Sequence, residues 1–288
     1  MVVILSFTLS SFNAAIRLCK NQCFYPVSKN LYLYLAWDAM DGGLDQVEVG
    51  DGKIVGVNSI DKVYGRSLTG STWIEIGGAL KQIDIGDGQI VGSNSVDNVY
   101  YRRGISTNNP FGTAWVQLDG SLTYVAIGNG KMMGTKDGVV YVRDGITETN
   151  PVGTAWRAID GNLKLISIGD DKVMGVDSQN RVFYRFGVNR QDPYGTEWRQ
   201  LGGGHLKQVD VGDGKIMGVD ASDNVWYRWG IDRSNPFGRG WQQGVGYLKH
   251  VSVGDNTFVG VNEQDHILRR DAEIPFDRNI AHSGKCIS

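Results

Sequence analysis

Six tryptophans set the frame of this chain. Trp37, Trp73, Trp115, Trp156, Trp198 and Trp241 stand 36, 42, 41, 42 and 43 residues apart. A period near 40 residues marks a repeated supersecondary unit, and it constrains the fold more than any single motif. After each tryptophan comes a strand-like alternation: Val47/Val49, Ile83/Ile85, Val125/Ile127, Ile166/Ile168, Val209/Val211 and Val251/Val253. Each pair runs into a glycine-containing turn: GDG at 50, 86 and 212, GNG at 128, GDD at 169 and GDN at 254. Asp-Gly and Asn-Gly favour tight hairpins with positive φ. A second strand follows, with glycine at one fixed place: Gly56, Gly92, Gly134, Gly175, Gly218 and Gly260. Six glycines at one strand position predict a close approach of neighbouring atoms.

A third strand reads VYGR, VYYR, VYVR, VFYR, VWYR and ILRR, giving an arginine series of Arg66, Arg102, Arg143, Arg185, Arg228 and Arg269. A loop then returns to the tryptophan: NPFGTAW at 109–115, NPVGTAW at 150–156, DPYGTEW at 192–198 and NPFGRGW at 235–241. Asn or Asp starts the turn, Pro presets φ, and Gly relieves a strained position. The shorter SLTGSTW at 67–73 accounts for the 36-residue spacing. Four short strands per unit, six units and no helix of useful length predict an all-β fold, a six-bladed β-propeller over 37–271. The series opens on Trp37, and the last unit has no tryptophan strand after it. The strand near Trp37 is therefore expected to complete the last blade and cover two sheet edges.

The ends differ from the repeats. Residues 2–9, VVILSFTL, are apolar and precede SSFNAA, so residues 1–15 read as a candidate signal peptide and 16–36 as an N-terminal extension. No Lys or Arg precedes the apolar run, and it is too short to span a bilayer. Residues 272–288 form a C-terminal tail. The three cysteines, Cys19, Cys23 and Cys286, lie only at the ends. A disulfide from Cys286 to one of the other two is expected if the termini meet in an oxidising compartment. No N-x-S/T sequon is present. With 29 basic and 31 acidic residues, the charge balance argues against a nucleic-acid partner.

The pattern W–x–x–[IL]–x–G–x–L–K–x–[VI]–x–[VI]–G–D–G, then GV[ND], VYYRxG and NPxGTxW, resembles the tectonin repeat, and it is similar to the fish-egg lectins, with the tachylectin group as wider relatives. The resemblance covers residues 37 to 271. It implies a secreted six-bladed propeller that binds N-acetylglucosamine-containing glycans and bacterial lipopolysaccharide in clefts between blades, in egg or innate immune defence. Glycans are thus the expected partners, with a homodimer as a candidate assembly.

Sugar binding needs planar polar groups for hydroxyls and an aromatic face for the C–H side of the ring. The repeats offer Arg102, Arg143, Arg185 and Arg228, with Asn58, Asn94, Asp177, Asp220 and Asn262 in the turns after the second strand, and Tyr101, Tyr184 and Tyr227 beside the arginines. Lys136 replaces the turn Asn in the third unit, while Gly65 and Leu268 replace the aromatic in the first and last. Four or five competent sites are expected, weakest at the ring closure. The competing reading of the arginines is a buried inter-blade ion pair with Asp84 or Asp210. No metal or other cofactor is expected, because one Asp per turn is a poor Ca²⁺ cage. No paired carboxylates or Ser–His pair break the repeat, so the chain does not read as an enzyme. His205, His250, His266 and His282 read as incidental.

Overall fold

The computed structural model describes residues 37–189 and 192–272. The candidate signal peptide, the N-terminal extension and all three cysteines lie outside the described residues. Within them are twenty-four strands in six four-stranded antiparallel sheets. The first five blades each use four consecutive strands. Blade 1, for example, comprises Gln46–Gly50, Lys53–Val57, Lys62–Ser67 and Ile74–Ala79. Blades 2 to 5 span Gln82–Ser121, Tyr124–Ile159, Leu165–His205 and Gln208–Tyr247. Blade 6 takes its inner three strands, His250–Gly254, Thr257–Val261 and His266–Asp271, from the end of the chain. Its outer strand is Asp38–Gly43, paired with Asp38 opposite Arg269 and Met40 opposite Ile267. The closure expected from Trp37 is therefore present.

Burial falls from the axis outward. Inner strands such as Leu165–Gly169 are buried at every residue but the last, whereas the outer strand Ala155–Ile159 has no buried residue. The turn between inner and second strand holds both central residues at positive φ, as in Asp51 (53°) and Gly52 (72°). That is the type I′ hairpin which Asp-Gly suits. Just before each inner strand stands a leucine: Leu44, Leu80, Leu122, Leu163, Leu206 and Leu248, each at most 2% exposed. It packs on the repeated glycine of the second strand. A Cβ on Gly56 would lie 2.5 Å from both Leu44 Cδ1 and Gln46 O.

Side chains hold the inner strands together across blades. Gln46 donates to Ile83 O (3.0 Å) and accepts from Ile83 N (3.1 Å). Gln82 does the same with Val125, and Gln208 with Val251. Two residues on, Asp84 accepts from Ile127 N, Ser167 from Val211 N, Asp210 from Val253 N and Ser252 from Val49 N. In the hairpin turns, Asp51 accepts from Gly88 N (2.8 Å), Asp87 from Gly130 N (2.7 Å) and Asp255 from Gly52 N (2.7 Å). Asp170 and Asp213 reach Gly214 N and Asn256 N in the same way. The turn aspartates are thus inter-blade acceptors as well as turn formers.

Gly56→Ala is expected to destabilise the fold by about 1–3 kcal/mol through overpacking. Gly202→Ala, where an added Cβ meets nothing within 4 Å, should stay within about 0.5 kcal/mol of the parent. Urea unfolding of the two variants checks the pair.

Candidate functional site

The repeated arginine packs against the repeated tryptophan. Across the third and outer strands Arg102 faces Trp115, Arg143 faces Trp156, Arg185 faces Trp198 and Arg228 faces Trp241. Each guanidinium lies 5.2–5.4 Å from its indole centroid. Such a cation–π contact is worth about 0.5–2 kcal/mol. In the last blade the register corrects the sequence reading. Arg270, not Arg269, holds the equivalent place, 5.2 Å from Trp37. Each Nε then donates to the NPxG-type loop: Arg102 to Phe111 O, Arg143 to Val152 O, Arg185 to Tyr194 O and Arg228 to Phe237 O, at 2.7–2.8 Å. Where a carboxylate joins, it is Asp119 with Arg143 (2.5 Å) or Asp160 with Arg185 (2.8 Å). Asp84 and Asp210 face the axis instead, so the alternative ion pair with them is not formed. The arginines are 3–7% exposed. The indole N–H of Trp37, Trp73, Trp115, Trp156 and Trp198 reaches a carbonyl of the preceding blade at 2.7–3.0 Å.

Asn58, Asn94, Asp177, Asp220 and Asn262 have one local geometry. Each Oδ1 accepts the backbone N–H two and four residues ahead, at 2.8–3.2 Å. These are Asx turns. Asp220 also accepts from Trp226 Nε1 (2.9 Å), and Asp177 from Arg181 Nε (2.6 Å). Lys136 pairs with Asp97. The turn residue and the arginine of one blade do not meet. Asn98, beside Asn94, and Arg102 stand at opposite ends of one strand, four residues or roughly 13 Å apart. The Asx turns therefore open on one face of the ring, and the NPxG loops with the Asp-Gly hairpins on the other.

On the loop face, the central residue of each NPxG loop fills the seam to the preceding blade. Phe237 stacks on Tyr184 with centroids 4.0 Å apart. Val152 packs in one cluster with Tyr101. Tyr194 bonds to Arg143 O, and Arg157 covers its ring at 5.9 Å. Tyr227 is buried against Phe258 and Arg270, and burial pushes its hydroxyl pKa up to about 12. The first seam differs. Phe111 lies over Gly65, where a Cβ would be 2.5 Å from the ring. Beside the Phe111 ring a cavity of about 330 Å³ opens, lined by Asp51–Lys53, Ser67, Ile105–Thr107, Pro110 and Phe111. The unit expected to be weakest therefore borders a cleft, with Ser67 of one repeat and Ser106 and Thr107 of the next in its lining.

The axis holds a second constellation. Glu48, Asp84 and Asp210 project there with His250, whose Nε2 lies 2.8 Å from Glu48 Oε1. His250 is not incidental. Burial lowers its pKa to about 4. Burial also raises Glu48 and Asp84 well above the usual carboxylate range, helped by Asp210 and Glu48 respectively, and raises Asp210. Asp84 and Asp210 spend their oxygens on amides of the next blade and on Ser167. Sequence spacing hid this group because its members come from four blades.

A sequence model of the Tectonin domain matches residues 20–205 and 202–280. No curated protein matches the chain. Among solved structures, yeast RCC1 (Prp20), in a structure with Kap60, gives a TM-score of 0.52 at 13% identity, over 80% of this chain and 72% of that one. Human WBSCR16 gives 0.52 at 13% identity, over 80% and 76%. A protein of unknown function from Bacteroides thetaiotaomicron gives 0.56 at 11% identity, over 82% and 72%. These likenesses are of fold.

Arg143→Met should cost about 2–3 kcal/mol, since a charged hydrogen-bond set is lost from a buried place. Hydrogen exchange at the Gly153 and Thr154 amides, which close the held loop, should speed up with it. His250 has a folded pKa below its ordinary 6.5, so its contribution is full at pH 7 and is lost as pH falls toward 4, by roughly 3 kcal/mol at ~1.4 kcal/mol per unit. The raised carboxylates run the other way, costing more as pH rises. His250→Gln should therefore lose less stability than the parent between pH 7 and pH 4, read from urea midpoints.

Proposed function

Because the chain belongs to the tectonin domain family, we propose that it is a secreted, multivalent lectin for N-acetylglucosamine-type glycans and bacterial lipopolysaccharide, held in clefts between blades and serving innate immune or egg defence. The observation that carries this reading is the cleft between blades 1 and 2. Its walls combine hydroxyls (Ser67, Ser106, Thr107), an ammonium (Lys53) and the apolar Ile105, Pro110 and Phe111. That mixture suits a ring with one polar rim and one C–H face. In this reading the buried arginines hold the loop walls, and the aromatics beside them seal or shape the seams. The reading includes no catalytic step, since the axial carboxylates are buried, Asp84 and Asp210 bonded to backbone amides and Glu48 to Gln46 and His250.

A single shallow sugar site binds weakly, because each hydroxyl exchanges water for protein with little net gain. Several sites on one ring facing a repetitive glycan raise avidity by about 10²–10⁴. Repetition of the unit thereby has a physical use. A second reading, a protein-binding propeller without sugar, draws support from Ile60 and Val96. Both are 69% exposed in matching turns of blades 1 and 2, on the face opposite the loops.

Titration calorimetry with N-acetylglucosamine and a chitooligosaccharide is expected to show weak heat for the monosaccharide and a clear gain for the oligomer, with lipopolysaccharide competing. No heat and no competition would leave the protein-binding scaffold. Mass spectrometry of the expressed protein tests secretion, which predicts cleavage near Ala15 and an oxidised Cys286.

A further inference from the structure

We propose that the cleft between blades 1 and 2 is the principal sugar site of the chain, shaped for one whole neutral pyranose, and that the other seams are not its equals. The proposal rests on the carbohydrate reading above and refines it. It begins from what stands at two positions of the third strand. Gly65 occupies the place of Tyr101, Val142, Tyr184 and Tyr227, and Ser67 that of Arg103, Asp144, Phe186 and Trp229. In the other blades those side chains fill the seam or its rim. In blade 1 the Phe111 ring takes the room over Gly65, and the short Ser67 side chain borders open space at the rim.

The same blade has lost its long loop. After Ser67 the chain turns back at once, with Gly70 N donating to Ser67 O and Leu68 N to Gly52 O. In blade 2 the chain rises through nine residues before Thr113 N returns to Arg103 O. The short turn also fails to bring a carbonyl to Arg66 Nε, which is buried without a hydrogen-bond partner. The blade 2 loop, by contrast, is fully built: Phe111 is buried and Arg102 holds its carbonyl. One wall is therefore rigid and high, the other low and lined by a hydroxyl. Near-identical repeats would give near-identical seams, and the short loop with Ser67 at its base makes this one different.

The polar groups indicate the ligand class. Asp51 Oδ2 accepts from Gly88 N, and Lys53 Nζ gives one of its three N–H bonds to Asp51 O. Ser106 Oγ accepts from Asn109 N and keeps its own O–H to donate. Donors and acceptors are thus mixed, and the one carboxylate and one ammonium cancel. A neutral polyol fits this balance better than an anion or a cation. About 330 Å³ is the small end of the ~300–1,000 Å³ range of ligand sites. That is room for one ring, with the rest of a glycan in solvent.

The test is calorimetry of the full chain with methyl N-acetylglucosaminide, comparing the parent with Ser67→Phe and Thr107→Ala. Ser67→Phe installs the residue that blade 4 carries, at an exposed position. The expected result is one dominant site per chain, weakened at least ten-fold by Ser67→Phe and several-fold by Thr107→Ala, with an unchanged melting temperature. If Ser67→Phe misfolds, Thr107→Ala alone decides. Several equal sites that neither substitution alters would overturn this proposal and leave the lectin reading standing. No binding of the monosaccharide or of chitooligosaccharide by the parent would overturn both.

Discussion

A propeller has to join sheets whose inner strands lie side by side without forming one sheet, and in this protein side chains do the joining. The amides of Gln46, Gln82 and Gln208 each pair with both backbone groups of a residue on the next blade. Below them Asp84, Ser167, Asp210 and Ser252 accept single N–H groups, and the turn aspartates form a third tier. In the two inner tiers each such bond satisfies a backbone donor that burial would otherwise leave unpaired, at a cost of about 1–3 kcal/mol. The buried carboxylates at the axis follow from this role. Their pKa values are raised because burial disfavours charge, and backbone amides keep the oxygens of Asp84 and Asp210 useful as acceptors.

The periphery solves a second problem, the placement of loops. The outer strands bury little, so a loop beyond them would have few contacts of its own. The arginine and tryptophan of each blade supply them. In blades 1 to 5 the guanidinium stacks on the indole and donates to the loop, while five of the six repeat indoles reach back to the preceding blade. Loop, blade and neighbour are thereby locked into one unit. Function on the loop face can then vary through the few residues at each seam, without disturbing the ring.

The seams are where the repeats stop being alike. Phe237 on Tyr184 and Tyr194 under Arg157 use aromatic area for packing. Phe111 packs over Gly65, and beside it Ser67 borders a cavity. The same loop motif therefore seals one interface and walls a cleft at another, depending on what the preceding blade presents. Multivalency and a dominant site coexist on such a ring, since avidity depends on geometry and each site on its own lining.

The sequence by itself determined the blade count, the strand order, the type I′ hairpins and the closure by the strand after Trp37. These rest on local rules, periodicity and turn chemistry, repeated six times. It also pointed to the glycines that admit a leucine against the second strand. Only the tertiary structure decided what the repeated polar residues do. Arg102 and Asn94 lie eight residues apart in one repeat but on opposite faces of the ring. His250 and Glu48 lie 202 residues apart and touch. The cleft joins Ser67 of one repeat to Phe111 of the next. Contacts across blades depend on how six units close around an axis, and no spacing within a unit encodes them.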